Sequence, residues 1–143
     1  MGKIVLICRD ALENSVIGNV GVAMEAKKEG DDVAIIFTQE ALAALSGSVF
    51  DWSPLLRPRE KRSRISKSAE ARGITVSSPK DARWTDMGRL IQGAKDAGIS
   101  LYACPLWSEL LGVQGKLPAE LAQIDLPTAM KALKEADVVI GSF

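Results

Sequence analysis

Two cysteines and no histidine set what chemistry this chain could do. Without histidine there is no serine–histidine or cysteine–histidine triad and no imidazole metal ligand. Two cysteines alone do not build a structural zinc site. Covalent chemistry therefore falls to cysteine, lysine, the carboxylates or backbone N–H groups. Of the two cysteines, Cys104 has the more informative surroundings. Pro105 follows it at once; proline cannot continue a strand ladder but suits the first position of a helix. Ile99, Leu101 and Tyr102 before it are strand formers, set off by Gly98. The spacing predicts a strand, then Cys104 as N-cap, then a helix closing near Gly112. At an N-cap, free N–H groups and the helix dipole favour a thiolate. Two readings of Cys104 stand: a nucleophilic thiolate, or a small apolar filler, the common fate of a free cysteine. Cys8 ends the apolar run KIVLIC and reads as an inert core thiol.

The elements that must position these residues can be read in order. KIVLIC at residues 3–8 is a continuous apolar run bounded by charge, the mark of a strand buried on both faces. Asn14 and Ser15 are N-cap types. Val16, Val20, Ala23 and Met24 follow at helical spacing, with Lys27 and Lys28 in the last turn and Gly30 as the stop. Gly18 and Gly21 are expected to let this helix sit close to the sheet, or to let a ligand approach its first turn; a GxxG pair without a preceding GxG favours packing. DVAIIFT at residues 32–38 is a second buried strand, and a short helix spans residues 39–45. Met87, Leu90, Ile91 and Ala94 share a helical face with Trp84 and lead to the strand before Cys104. Residues 113–125 read as a connector. Pro127 opens a helix over residues 128–135, with Ala129, Leu133 and Ala136 inward, and DVVI at residues 137–140 is the last strand.

Residues 48–83 break the pattern. The segment is expected to be an irregular excursion, with a helix ending at Gly73 and a short strand over residues 74–77. Phe50, Trp52, Leu55 and Leu56 read as exposed apolar side chains that need a partner surface. Residues 57–72 hold seven basic and two acidic side chains. They form either a solvated face or a lid or docking surface for an anionic partner.

Strands alternating with helices predict an open, mainly parallel α/β sheet of about four to five strands with helices on both faces, a three-layer α/β/α domain. Ligands collect beyond the carboxyl ends of such strands. Cys8, Thr38 and Cys104 all fall at that edge, as does Arg9, just past the first strand. The chain of 143 residues suits one domain, with no internal repeat. Eighteen basic and eighteen acidic residues cancel, which argues against a general nucleic-acid binder. No apolar run approaches ~20 residues, so no membrane span is expected. The N-terminus enters a strand pattern directly, without signal-peptide architecture. Two unpaired cysteines suit a reducing compartment, hence the cytoplasm. No GxGxxG or P-loop pattern is present, and no cofactor or metal is expected.

The order of these blocks resembles the DsrE/DsrF-like family of small sulfur-handling proteins. AKKEGDDVAIIFTQEAL and AKDAGISLYACPLWSELLG carry the likeness, with the first strand and the closing EADVVIGSF. Tyr102, Ala103, Cys104 and Gly112 match the family's aromatic–alanine–cysteine strand end and its short helix closing on glycine. Some branches place a serine three residues after the cysteine; here Trp107 holds that position and Ser108 follows. The resemblance implies a flavodoxin-like sheet, a homo-oligomer (trimer or hexamer) and a cysteine able to carry a persulfide. The implied chemistry is sulfur relay at Cys104 between donor and acceptor proteins. The N–H groups of Leu106 and Trp107 would stabilise the anion, and Pro105, Ser108, Thr38 and Arg9 would surround it. The alternatives are a small-ligand-binding domain without chemistry and a structural subunit of an oligomer.

Overall fold

The computed structural model describes residues 2–47, 50–78 and 85–141. Strand β1 (Lys3–Cys8) is followed by α1 (Glu13–Lys28), β2 (Asp32–Phe37) and α2 (Gln39–Gly47). After a 3-10 turn at Pro54–Leu56 come α3 (Arg59–Ala71) and α4 (Met87–Asp96). The chain then runs through β3 (Ser100–Ala103), α5 (Pro105–Leu111), β4 (Ala122–Gln123), α6 (Leu126–Glu135) and β5 (Val138–Ile140). The five strands form one all-parallel sheet in the order β4-β3-β2-β1-β5. This is the expected α/β, flavodoxin-like arrangement.

The apolar runs explain the centre of the sheet. Leu6 of β1 and Val33, Ile35 and Phe37 of β2 share one face and are fully buried. On the opposite face Val5 and Ile36 are buried while Ile7 and Ala34 are half-buried, so the cover on that face is thinner than a run apolar throughout implies. The crossovers from β1 through β4 advance in one direction, and the return to β5 runs the other way. Right-handed connections therefore put α1 and α4 on one face and α6 on the opposite face. Accordingly, α1 touches α4, while α6 packs on β1 and touches α5. The buried face of α1 is Val16, Ile17, Val20 and Ala23, and that of α4 is Leu90, Ile91 and Ala94.

Several boundaries differ from expectation. Helix α1 starts at Glu13 with Leu12 as N-cap, and neither Asn14 nor Ser15 caps it. A distant segment supplies the structure there instead. Glu13 N donates to Asp51 O at 2.7 Å, and Leu12 pairs with Asp51 in a parallel bridge. Asn14 is used to hold that segment: its Nδ2 donates to Ser53 Oγ, and Ser53 N donates to its Oδ1, each at 3.0 Å. Gly21 does make room, but for the side chain of Ile74 rather than for the sheet; a Cβ there would meet Ile74 Cδ1 at 3.1 Å.

Residues 74–77 are not a strand. Ser77 makes one antiparallel bridge to Thr85, and Val76 N and Ser77 N donate to the Glu70 carboxylate at 3.2 and 3.1 Å. Their donors are satisfied by a side chain, so no ladder is needed. The expected connector instead contributes the two-residue β4, which closes the edge of β3. The excursion is also less exposed than expected. Trp52 is 4% exposed, Phe50 and Leu56 pack against the core, and only Leu55 of that group projects, at 78%. Trp84 lies outside the described residues. Helix α6 begins at Leu126, earlier than expected, with Asp125 as its N-cap accepting from Thr128 N at 2.8 Å. Hydrogen bonds from Thr128 hold the Asp125 carboxyl below its ordinary range. No described helix is long and apolar enough to cross a membrane.

Candidate functional site

The carboxyl ends of β1, β2 and β3 lie side by side, with Cys8 opposite Phe37 and Phe37 opposite Ala103. The ladder continues one step past the strands. Thr38 N donates to Cys8 O at 3.0 Å, and Cys104 N donates to Phe37 O at 2.9 Å. Ala41 N donates to Arg9 O at 3.1 Å. Arg9, Thr38 and Cys104 thus share one edge of the sheet, as the strand pattern requires. Thr38 is buried, Cys104 is half-buried, and Arg9 is exposed.

Cys104 is the N-cap of α5, with Pro105 at the first helical position. Its carbonyl accepts from Ser108 N at 2.9 Å, and its own extended backbone turns the chain out of β3. The first-turn N–H groups of Leu106 and Trp107 have no carbonyl inside the helix to bond. Leu106 is exposed, Trp107 packs against the core, and Ser108 is 1% exposed, with an Oγ that has no partner among the described residues. Gly112 closes α5 in the left-handed conformation, φ 64°. The seven-residue helix is thereby fixed at both ends by proline and glycine.

The two cysteines are not equivalent. Cys8 is 1% exposed, and its pKa is pushed up to about 12, first by burial and then by the Asp10 charge. A thiol held neutral in this way is no nucleophile at ordinary pH. That agrees with its reading as core.

A second feature of this edge was not anticipated from the sequence. Helices α1 and α4 run antiparallel to the strands, so their N-termini also stand at the carboxyl edge. Between them opens a cavity of about 460 Å³, to which Glu13 in the first turn of α1 contributes. Burial, opposed by Arg62 and reinforced by Asp51, raises the Glu13 pKa to about 7. None of the residues expected at the site lines this cavity. Nothing local marks Glu13 in the sequence: its environment is assembled by residues some thirty to a hundred positions away. Among the described residues, no group of three or more His, Cys, Asp or Glu could hold a metal ion.

No protein-family model matches the sequence, and no curated protein matches it either. Solved structures do match. The crystal structure of the YchN protein from E. coli superposes with a TM-score of 0.60 at 12% identity, covering 99% of this chain and 99% of that one. The structure of a conserved protein of unknown function from Bacteroides thetaiotaomicron, BT1422, gives a TM-score of 0.59 at 12% identity, covering 98% and 94%. Both are DsrE-like folds. At such identity the likeness shows the fold alone, because one fold hosts unrelated functions.

Proposed function

We propose that this protein handles sulfur, carrying sulfane sulfur as a persulfide on Cys104. The observation that supports the reading is the contrast between its two thiols. Cys104 is accessible at the carboxyl edge, at the start of a helix, whereas Cys8 is buried and held neutral. In the first step the Cys104 thiolate attacks the outer sulfur of a sulfane donor. A bond forms from Sγ to that sulfur, the donor's sulfur–sulfur bond breaks, and the donor leaves as an anion. In the second step an acceptor thiolate attacks the terminal sulfur and Cys104 leaves as thiolate. Sulfane sulfur moves from donor to acceptor, and no external oxidant or reductant is consumed. The N–H groups of Leu106 and Trp107 and the cation of Arg9 favour the anionic forms. In this reading the protein is a cytoplasmic homo-oligomer whose basic run on α3 faces an acidic partner or an anionic donor.

Intact-mass measurement after exposure to thiosulfate or polysulfide tests it. The protein should gain the mass of one sulfur atom, removable by a thiol reductant. Cys8→Ser should retain the gain and Cys104→Ser should lose it. Absence of the adduct in the wild-type protein rejects the proposal.

The cavity beside Glu13 favours a second reading, a small-ligand-binding domain. Its volume lies in the range of small-molecule sites, and it combines apolar walls with a few converging polar groups.

A further inference from the structure

We propose that the groove between α1 and α3 binds a small amphipathic carboxylate, an anionic head on an unbranched apolar chain. None of its lining residues belongs to the Cys104 edge or to the cavity beside Glu13. The inference therefore goes beyond the sulfur chemistry proposed above and does not rest on it.

The attachment of α3 creates the groove. This helix buries only Ser66 and Ala69, so little apolar surface ties it down. It stands beside α1 without packing closely along it. A space of about 530 Å³ opens between the two, within the range of small-molecule sites. Its walls come from residues 17–25 and 64–74, two continuous described stretches. Gly18 brings no side chain to fill it, and the room over Gly21 is taken by Ile74 Cδ1. Ile17, Val22, Ile65, Ala69 and Ile74 give it an apolar lining.

The charge of the rim selects the ligand. Arg64 and Arg72 line the groove from the α3 side, and Glu25 is the acid on the α1 side. Residues 64, 68 and 72 are four apart and share one helical face, so the Ser68 hydroxyl stands between the two arginines. Arg72 lies 4.0 Å from Glu25. Arg64 has no hydrogen-bond or ion-pair partner among the described residues. Two guanidinium groups thus stand against one carboxylate beside an apolar surface. A ligand carboxylate matches the planar fork of Arg64 in a bidentate, charge-assisted pair. A head group held there leaves its chain free to run past Ile65, Ala69 and Ile74, where it removes apolar surface from water. An ammonium head would meet two guanidinium groups, and an alcohol would forgo the charge-assisted bond.

The test uses three probes with one chain on the full protein at about pH 7: octanoate, octanol and octylammonium, titrated by calorimetry or NMR. Octanoate should bind about fivefold or more tightly than octanol, and octylammonium more weakly than either. Added salt should weaken octanoate and leave octanol unchanged. Arg64→Gln should reduce octanoate to the affinity of octanol. Glu25→Gln frees Arg72 and should tighten octanoate. Ser68→Trp should weaken all three probes by filling the groove. Arg64 and Ser68 are exposed, so both variants should keep the fold. Cys104→Ser should leave all three affinities unchanged, which separates this inference from the sulfur reading. If no probe binds up to about 3 mM, the groove is not a ligand site and the inference falls. If octanol or octylammonium binds as tightly as octanoate, or if Arg64→Gln leaves octanoate unchanged, the carboxylate assignment is wrong.

Discussion

Two residues with unusual proton affinities lie near one sheet edge, and their shifts come from burial. For Cys8 the consequence is protection. Iodoacetamide at pH 8 should label Cys104 while Cys8 stays unmodified until the protein unfolds. Peptide mapping reads this directly, and native-state labelling of Cys8 at a comparable rate would contradict it. For Glu13 the consequence is a pH-dependent stability. In the unfolded chain it ionises near pH 4.5, the ordinary value, while in the folded chain it keeps its proton to about pH 7. Between those values the folded state holds the extra proton, so its contribution to stability falls as pH rises and levels off above pH 7. Glu13→Gln should match the wild type at low pH. Above pH 7 it should be more stable by about 1–2 kcal/mol, a figure reduced for partial solvent screening. Urea denaturation across pH 4 to 8 measures the difference, and a constant offset at every pH would rule out titration of Glu13 as its source.

At the scale of elements, α5 depends on its two ends more than on its burial. It has seven residues, of which only Ser108 is buried, so propensity alone would not hold it. Pro105 sets the backbone angle at the start, and Gly112 reverses the chain at the end. The carbonyl of Glu109 accepts from Gly112 N at 3.1 Å, and that of Ser108 accepts from Val113 N at 3.0 Å. A Cβ on Gly112 would meet nothing within 4 Å, so an alanine there suffers only the left-handed backbone. Gly112→Ala should cost about 1–2 kcal/mol of stability, visible as a lower denaturation midpoint with an unchanged slope. An unchanged midpoint would mean that the cap is dispensable. The basic helix α3 follows a different logic. It buries only Ser66 and Ala69 and leans on α1, with Arg72 reaching Glu25 at 4.0 Å. Its exposed charges add little to stability, and two of them are engaged within the chain: Lys61 Nζ donates to Leu55 O at 2.9 Å, and the Glu70 carboxylate accepts from Val76 N and Ser77 N.

Across the whole molecule, among the described residues, large apolar side chains are exposed on α5, α6 and β5. Leu106, Leu110 and Leu111 of α5 are exposed, as are Leu126 and Met130 of α6 and Val138 and Val139 of β5. Helices α5 and α6 touch, and β5 ends the sheet with one side unpaired. An exposed apolar edge strand is a template for another chain. This surface, rather than the aromatic side chains of the excursion, is the argument for a homo-oligomer. Light scattering at about 10 μM should show an assembly, and Val139→Lys should yield a folded species of lower mass, since lysine on an edge strand blocks pairing. A wild-type monomer at that concentration would refute the assignment.

The sequence by itself determined the parallel α/β order, because a strand buried on both faces must be apolar throughout, as in KIVLIC and DVAIIF. It also determined the junction at Cys104, since the backbone restrictions of proline and glycine act locally at Pro105 and Gly112. Only the tertiary structure decided features that depend on distant partners. Two residues of β4 carry no periodicity and become a strand only where β3 offers an open edge. The N-terminus of α1 is set by Asp51 and Ser53 rather than by its own caps, because their groups occupy those donors and the Asn14 amide. Trp52, polar in its sequence context, is buried because that same segment folds back on the core. Glu13 acquires its shifted proton affinity and its cavity from residues brought together by the fold, since desolvation depends on three-dimensional neighbours and not on adjacency along the chain.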